Sequence, residues 1–176
     1  KLIPISNKRS EYCVELLWEL SNHSTTEINI NEFFLNETMA QLQLAMFGFS
    51  NEFQEKTNAK IRDTFNGKDL DYAKEYFNDF LEELKGCKGP LSEAFKTRIP
   101  KDKKELFGNT MIFSFAGHDT TGNTLSFLMY ELSKNEDIQY TLQTEIDLFW
   151  RTQKDRPITY DDFKKLPFMT RCIMET

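Results

Sequence analysis

Histidine is nearly missing from this chain of 176 residues, with two copies, and cysteine is scarce, with three. Cys13, Cys87 and Cys172 are odd in number, far apart, and form no Cys-x-x-Cys pair. That argues against a disulfide framework or a cysteine-histidine zinc site and fits a reducing compartment. No apolar run approaches the ~18 residues needed to span a bilayer, and no signal-peptide pattern opens the chain. Basic residues are scattered, the formal charge is -6 and the pI about 5.1, which argues against a general nucleic-acid binder. There is no convincing strand, internal repeat or low-complexity tract. What is present is phenylalanine, 16 copies within an apolar content of 39%. Spread through one domain-sized chain, they predict a deeply buried helical interior.

Helical periodicity accounts for most of the rest. Tyr12, Cys13, Leu16, Leu17 and Leu20 recur with the spacing of an amphipathic helix, which Asn22 to Thr26 break. A second helix is predicted from Asn29, with Glu32 three residues on in capping-box spacing, through Phe34, Leu35, Thr38, Leu42 and Ala45 to a left-handed stop at Gly48. Residues 49 to 67 carry weak signals only. Leu70, Ala73, Phe77, Phe80, Leu81 and Leu84 make a third stripe, closed by Gly86 and the Gly89-Pro90 turn. After Pro100, Asp102 and Glu105 again have capping-box spacing, and helical character continues without proline to about Ser133. Its middle, Met111 to Ala116, is apolar on nearly every side, which predicts burial all round. A further helix spans Asp137 to about Arg151, Thr159 with Asp162 caps a short one, and Pro167 opens a last one. Asn22-His23-Ser24 and Asn36-Glu37-Thr38 have glycosylation spacing, but Asn36 falls inside an amphipathic helix and no secretory signal is visible, so both are read as coincidence.

In the middle of the long helix stands Ala116-Gly117-His118-Asp119-Thr120-Thr121-Gly122, its least helix-friendly stretch. Each glycine costs about 1 kcal/mol against alanine, and Asp and Thr compete for backbone hydrogen bonds. Two readings stand on the residues alone. In one, the helix opens beside a ligand cavity, with Asp119 and Thr120 offering a proton path and Gly117 giving room for the approach. In the other, the stretch is a polar kink in which the threonine hydroxyls bond back to earlier carbonyls.

Ala116 to Thr121 resembles the central-helix pattern of the cytochrome P450 family: Ala or Gly, Gly, any residue, Asp or Glu, Thr, then Thr or Ser. Downstream, Leu166-Pro167-Phe168 lead to Glu175, which looks like the Glu of that family's Glu-x-x-Arg helix, with the Arg two residues beyond Thr176. Residues 10 to 48 and 69 to 85 are similar to the family's helices in order, although specific motifs begin only at Ala116. The family's haem-binding loop, Phe-x-x-Gly-x-x-x-Cys-x-Gly, is not in this sequence. Cys13, Cys87 and Cys172 lack its context and read as small buried or half-buried residues.

The resemblance implies an all-α segment, the helical core portion of the mainly helical cytochrome P450 fold, with residues 1–176 a partial domain whose N-terminal and C-terminal haem-binding parts lie outside. It implies a haem-thiolate monooxygenase that inserts one oxygen atom of O2 into an organic, lipophilic substrate. Haem b would be the cofactor, an NAD(P)H-dependent reductase or another electron donor a partner, and the axial Cys would lie beyond Thr176. Thr120 would hydrogen-bond dioxygen or its water, and Asp119 would relay protons. Ala116 and Gly117 would shape the oxygen side, Phe113, Phe115 and Ala116 would line the substrate pocket, and Glu175 would be structural. His118, at the variable position, is not read as a ligand. An anchor before Lys1 would place the protein on the endoplasmic reticulum membrane, facing the cytosol. A P450-like protein without activity would lack the downstream cysteine; an unrelated helical scaffold would also lack the Arg after Glu175.

Overall fold

In the computed structural model of the chain, residues 2–22, 24–48, 103–153 and 156–176 are described. The third stripe, the Gly89-Pro90 turn and the Asp102 cap lie outside them. Among the described residues every regular element is helical: α1 (Ile3–Leu20), α2 (Ile30–Phe47), α3 (Lys103–Lys134), α4 (Glu136–Gln153), a 3₁₀ turn (Tyr160–Lys165) and α5 (Pro167–Glu175). This is the expected all-α class. None of these helices is long and apolar enough to cross a membrane.

The boundaries follow local chemistry. α1 begins earlier than its apolar stripe, because Pro4 in its first turn supplies a helical φ where no amide hydrogen is needed. α2 starts as predicted: Asn29 Oδ1 accepts the Glu32 amide at 3.2 Å, and Gly48 ends it at φ 80°, where a Cβ would be strained. α3 is unbroken through all 32 residues, about 48 Å at the standard rise. The local opening considered at Gly117 does not occur. Thr159 donates through its amide and its hydroxyl to Asp162 Oδ2, at 2.9 and 2.8 Å, which fixes the 3₁₀ turn.

α2 is the most buried described helix, and it runs antiparallel along α3. Asn31 reaches Ser126 (3.2 Å), the ideal Cβ position of Gly122 touches Leu35, Thr38 meets His118, and that of Gly117 touches Leu42. Positions 31, 35, 38 and 42 form one stripe on α2, so the two helices lie face to face along about three turns. Phe33, Met39, Ala40, Ala45 and Met46 of α2 are buried, as are Ser114, His118 and Leu132 of α3.

α1 docks on α2 through a buried ion pair of Arg9 with Glu37, whose side chains are 12% and 5% exposed. Its start is held by Asn7, which donates to the Ile158 carbonyl at 2.9 Å. α4 orients α5: Glu145 accepts the amides of Phe168 and Met169 at 2.8 and 2.9 Å, so a carboxylate caps the helix that Pro167 opens.

Candidate active site on the central helix

The residues of the Ala116–Gly122 stretch divide by azimuth. Successive helix positions turn by about 100°, so Phe113, Ala116, Thr120, Thr124 and Phe127 fall within a sector of about 80° opposite His118. His118 and Ser114 face α2 and are buried, whereas these five are exposed. The strip is uncharged, its middle is the small Ala116, and its ends are Phe113 and Phe127, 53% and 60% exposed. Burial all round, expected for this stretch, is therefore not what the described residues provide: α2 covers one side of α3.

Thr120 stands at the centre of the strip. Its hydroxyl donates to the Ala116 carbonyl at 2.8 Å, and Thr124 does the same to the Thr120 carbonyl. This is the back-bonding of the second reading, within a helix that continues unbroken. With its only proton engaged, Thr120 Oγ1 offers lone pairs outward, or donates after letting Ala116 go.

Asp119 lies about 100° from Thr120, at the edge between the strip and the α2 side. It is half-buried and has no hydrogen-bond partner among the described residues. A carboxylate so placed can exchange protons with solvent on one side and serve the strip on the other.

His118 is turned inward, 4% exposed, and its Nδ1 lies 2.6 Å from the Ser114 carbonyl. Since a carbonyl only accepts, Nδ1 carries the proton. The ring meets Phe115 edge-on at 6.3 Å, so Phe115 belongs to this side and does not join Phe113 on the strip. The space left by Gly117 is taken by Leu42, whose Cδ1 would lie 2.9 Å from a Cβ there. Gly117 therefore admits α2 and sits at the border of the strip. Glu175 is exposed near the end of α5, away from Thr120 in sequence and on another helix.

The cytochrome P450 family profile matches residues 28–176. The chain belongs to the cytochrome P450 family. It is 30% identical to cytochrome P450 3A31 of Mesocricetus auratus over 148 residues, which are 81% of this chain and 27% of that protein. It is 43% identical to cytochrome P450 3A12 of Canis lupus familiaris over 98 residues, 56% of this chain and 19% of that protein. Cytochrome P450 4F3 of Rattus norvegicus is 32% identical over 98 residues, 56% of this chain and 18% of its own. The chain thus spans about a quarter or less of each of these three relatives.

Within this P450 segment, the sequence pattern pointed to Thr120 and Asp119 but not to what steadies them. Thr38 belonged to the predicted stripe of α2, yet nothing in its spacing told that its hydroxyl reaches α3. Glu145, which caps α5 from α4, was missed too. Cys13 is half-buried and not poised as a metal ligand, since burial, with the Glu37 carboxylate beside it, pushes its thiol up to about 12. No cluster of three or more His, Cys, Asp or Glu able to hold a metal ion is found among the described residues. A cavity of about 540 Å³ lies between α1 and residues 157–160, lined in part by Ile3, Pro4, Ile158 and Tyr160, and touches none of the motif.

Proposed function

We propose that the full-length protein is a haem-thiolate monooxygenase that inserts one atom of O2 into a small lipophilic substrate, and that α3 is its oxygen-activating helix. The carrying observation is the strip itself: an uncharged sector with Ala116 and Thr120 at its centre and Asp119 at its edge. Such a surface fits one face of a porphyrin, which needs a flat, small, uncharged neighbour. Ala116 and Thr120, with Gly117 at the border, would hold that side of the haem. When bound, the haem would supply the dioxygen-activating redox chemistry, held by a cysteine thiolate from outside these residues.

The chain's own residues then do three things. Ala116, by its size, leaves room at the centre of the strip. Thr120 Oγ1 accepts a hydrogen bond on the open side while its proton stays with the Ala116 carbonyl. Asp119 takes protons from solvent and delivers them toward Thr120. Phe113 supports an apolar substrate at one end of the strip, and Phe115 packs edge-on against His118 on the α2 side. Glu175 is a structural partner for an arginine one helical turn on. Electrons would come from an NAD(P)H-dependent reductase, with an anchor outside these residues tethering the domain to the endoplasmic reticulum membrane on its cytosolic face.

The test is the ferrous carbon monoxide adduct of the full-length protein. The reading expects the red-shifted Soret band of thiolate ligation. A histidine-type spectrum, or no haem uptake at all, removes it.

A further inference from the structure

We propose that Thr38 of α2 is a positioning residue for the strip of α3, acting through the main-chain carbonyl of His118; the inference rests on the assignment of Thr120 made above. Thr38 is 6% exposed, and its Oγ1 lies 2.9 Å from the His118 carbonyl oxygen in a buried contact. The same hydroxyl is 2.8 Å from the Phe34 carbonyl and 3.2 Å from that of Leu35. It has one proton to give, so it serves either its own helix or α3. The hydroxyls of Thr120, Thr124 and Ser126 all bond back within α3. Among the described residues of α2 and α3, Thr38 is the hydroxyl that crosses to a main-chain carbonyl of the other helix.

The carbonyl it meets has capacity for it. In an α-helix the His118 oxygen accepts the amide four residues on, that of Gly122, and its second lone pair remains for Thr38. That carbonyl and the Asp119 amide belong to one rigid peptide plane. Holding it sets the tilt of the plane from which Asp119 and then Thr120 project.

Asn31 also donates across the two helices, to Asn123 Oδ1 at 3.0 Å and Ser126 Oγ at 3.2 Å, but between exposed side chains; the buried contacts that flank Thr38 are of another kind. Leu42 against Gly117 and Leu35 against Gly122 are close-packed and apolar. They fix how near the helices come but tolerate small rotation of α3 about its axis, because dispersion has no preferred direction. A hydrogen bond weakens steeply with angle. Thr38 therefore selects the azimuth of α3, and Thr120 lies about 200° round from the residue it holds, on the far side. A tight approach is required for the bond to form: a Cβ on Gly122 would stand 3.1 Å from Thr38 Oγ1. The glycine and the threonine work as a pair.

The experiment uses the full-length haem protein with carbon monoxide as the probe, and reads the C–O stretch of the ferrous adduct by infrared spectroscopy. Thr120→Val should shift this stretch by removing the hydroxyl beside the ligand. Thr38→Val, which keeps the shape, should shift it in the same direction by part of that amount, and Thr38→Ser should restore the wild-type band. In a Thr120→Val background, Thr38→Val should add nothing. Met39→Ala, a buried neighbour on α2, is the control: it should lower thermal stability and leave the stretch in place. Should Thr38→Val fail to load haem, Thr38→Ala carries the same comparison. A wild-type stretch in Thr38→Val where Thr120→Val shifts it, a serine variant that behaves like valine, or an equal shift in Met39→Ala overturns the proposal. A Thr120→Val variant with no shift removes both the proposal and the role of Thr120. The Soret band of the same samples reports separately on thiolate ligation, so a failure of the family chemistry is told apart from a failure of Thr38.

Discussion

Leu35 of α2 and Gly122 of α3 touch where no side chain fits: a Cβ on Gly122 would stand 2.9 Å from Leu35 Cδ2 and 3.1 Å from its Cα. The second neighbour is backbone and cannot turn away. At Gly117 the neighbours are the two methyl ends of Leu42, at 2.9 and 3.0 Å, which can.

Alanine at the two positions should therefore behave differently. Each substitution gains about 1 kcal/mol of helix propensity. At Gly117 a rotation of Leu42 absorbs the methyl, and stability should change little. At Gly122 the helices must separate, at a cost of about 2 kcal/mol by the usual scale of overpacking. Thermal unfolding followed by far-ultraviolet circular dichroism should show Gly122→Ala melting several degrees below Gly117→Ala. Equal midpoints would mean that α2 and α3 are less tightly joined than this contact requires.

The ion pair of Arg9 with Glu37 offers a test of how α1 is attached. The carboxylate is 5% exposed, accepts Arg9 Nε at 2.8 Å, and is also bonded to the second guanidinium nitrogen. Its removal leaves a largely buried guanidinium without its partner, so Glu37→Leu should cost about 3 kcal/mol. The double variant Arg9→Met, Glu37→Leu should recover most of that loss, since paired removal leaves no orphan charge. In the single variant the Cys13 thiol also loses the carboxylate that holds its proton. In wild type, alkylation of Cys13 at pH 8 should be slow, because its thiol is pushed up to about 12. In Glu37→Leu it should quicken. A Cys13 that reacts at the rate of a free thiol in wild type would show that α1 is not docked as described.

Much of this arrangement was legible in the chain. The stop at Gly48, the N-cap at Asn29 and the stripe Leu35, Thr38 and Leu42 follow from local rules, because caps and periodicity act within one or two turns. The azimuth of the long helix was not legible. Its centre is apolar nearly all round, so no hydrophobic stripe tells which side α2 covers, and the close approach of the two helices depends on two glycines whose missing side chains only a partner reveals. Of the two readings left open at Gly117, the opened helix is the one not observed, for a related reason. Weak helix formers do not break a helix when tertiary packing requires their small size. Glu145 was hidden because a cap supplied from another helix leaves no local pattern.

Asp162 gives an acid-dependent prediction. It is 1% exposed and accepts both terminal guanidinium nitrogens of Arg156, at 2.7 and 2.8 Å, with Lys165 at 3.0 Å and Thr159 besides. The Arg156 guanidinium, ahead of the other donors, holds its carboxyl well below the usual carboxylate range. A carboxyl lowered on folding stabilises the fold above its unfolded value, about 4, and this is lost as pH falls toward the folded value. The melting midpoint should thus fall between about pH 5 and pH 2. Asp162→Asn should melt lower at pH 7 and show a shallower acid slope. Parallel slopes in the two proteins would assign the acid loss to other carboxylates.

The last prediction separates Thr120 from its neighbour. Both are exposed threonines of α3, but they project about 100° apart, and only Thr120 shares the sector of Phe113, Ala116 and Phe127. Valine keeps the β-branched shape at either position, so folding and haem content should survive both substitutions. In Thr120→Val the centre of the strip loses its lone pairs and the Ala116 carbonyl loses its second donor, while Asp119 stays in place. With a reductase and a substrate that the full-length protein turns over, NAD(P)H consumption should continue, hydrogen peroxide should rise, and product per NAD(P)H should fall by about tenfold, the worth of one buried hydrogen bond at the upper end of its range. Thr121→Val should leave this ratio within about twofold of wild type, because its side chain points off the strip. A larger loss at Thr121 than at Thr120 would place the working face of α3 one residue further round, and with it the haem.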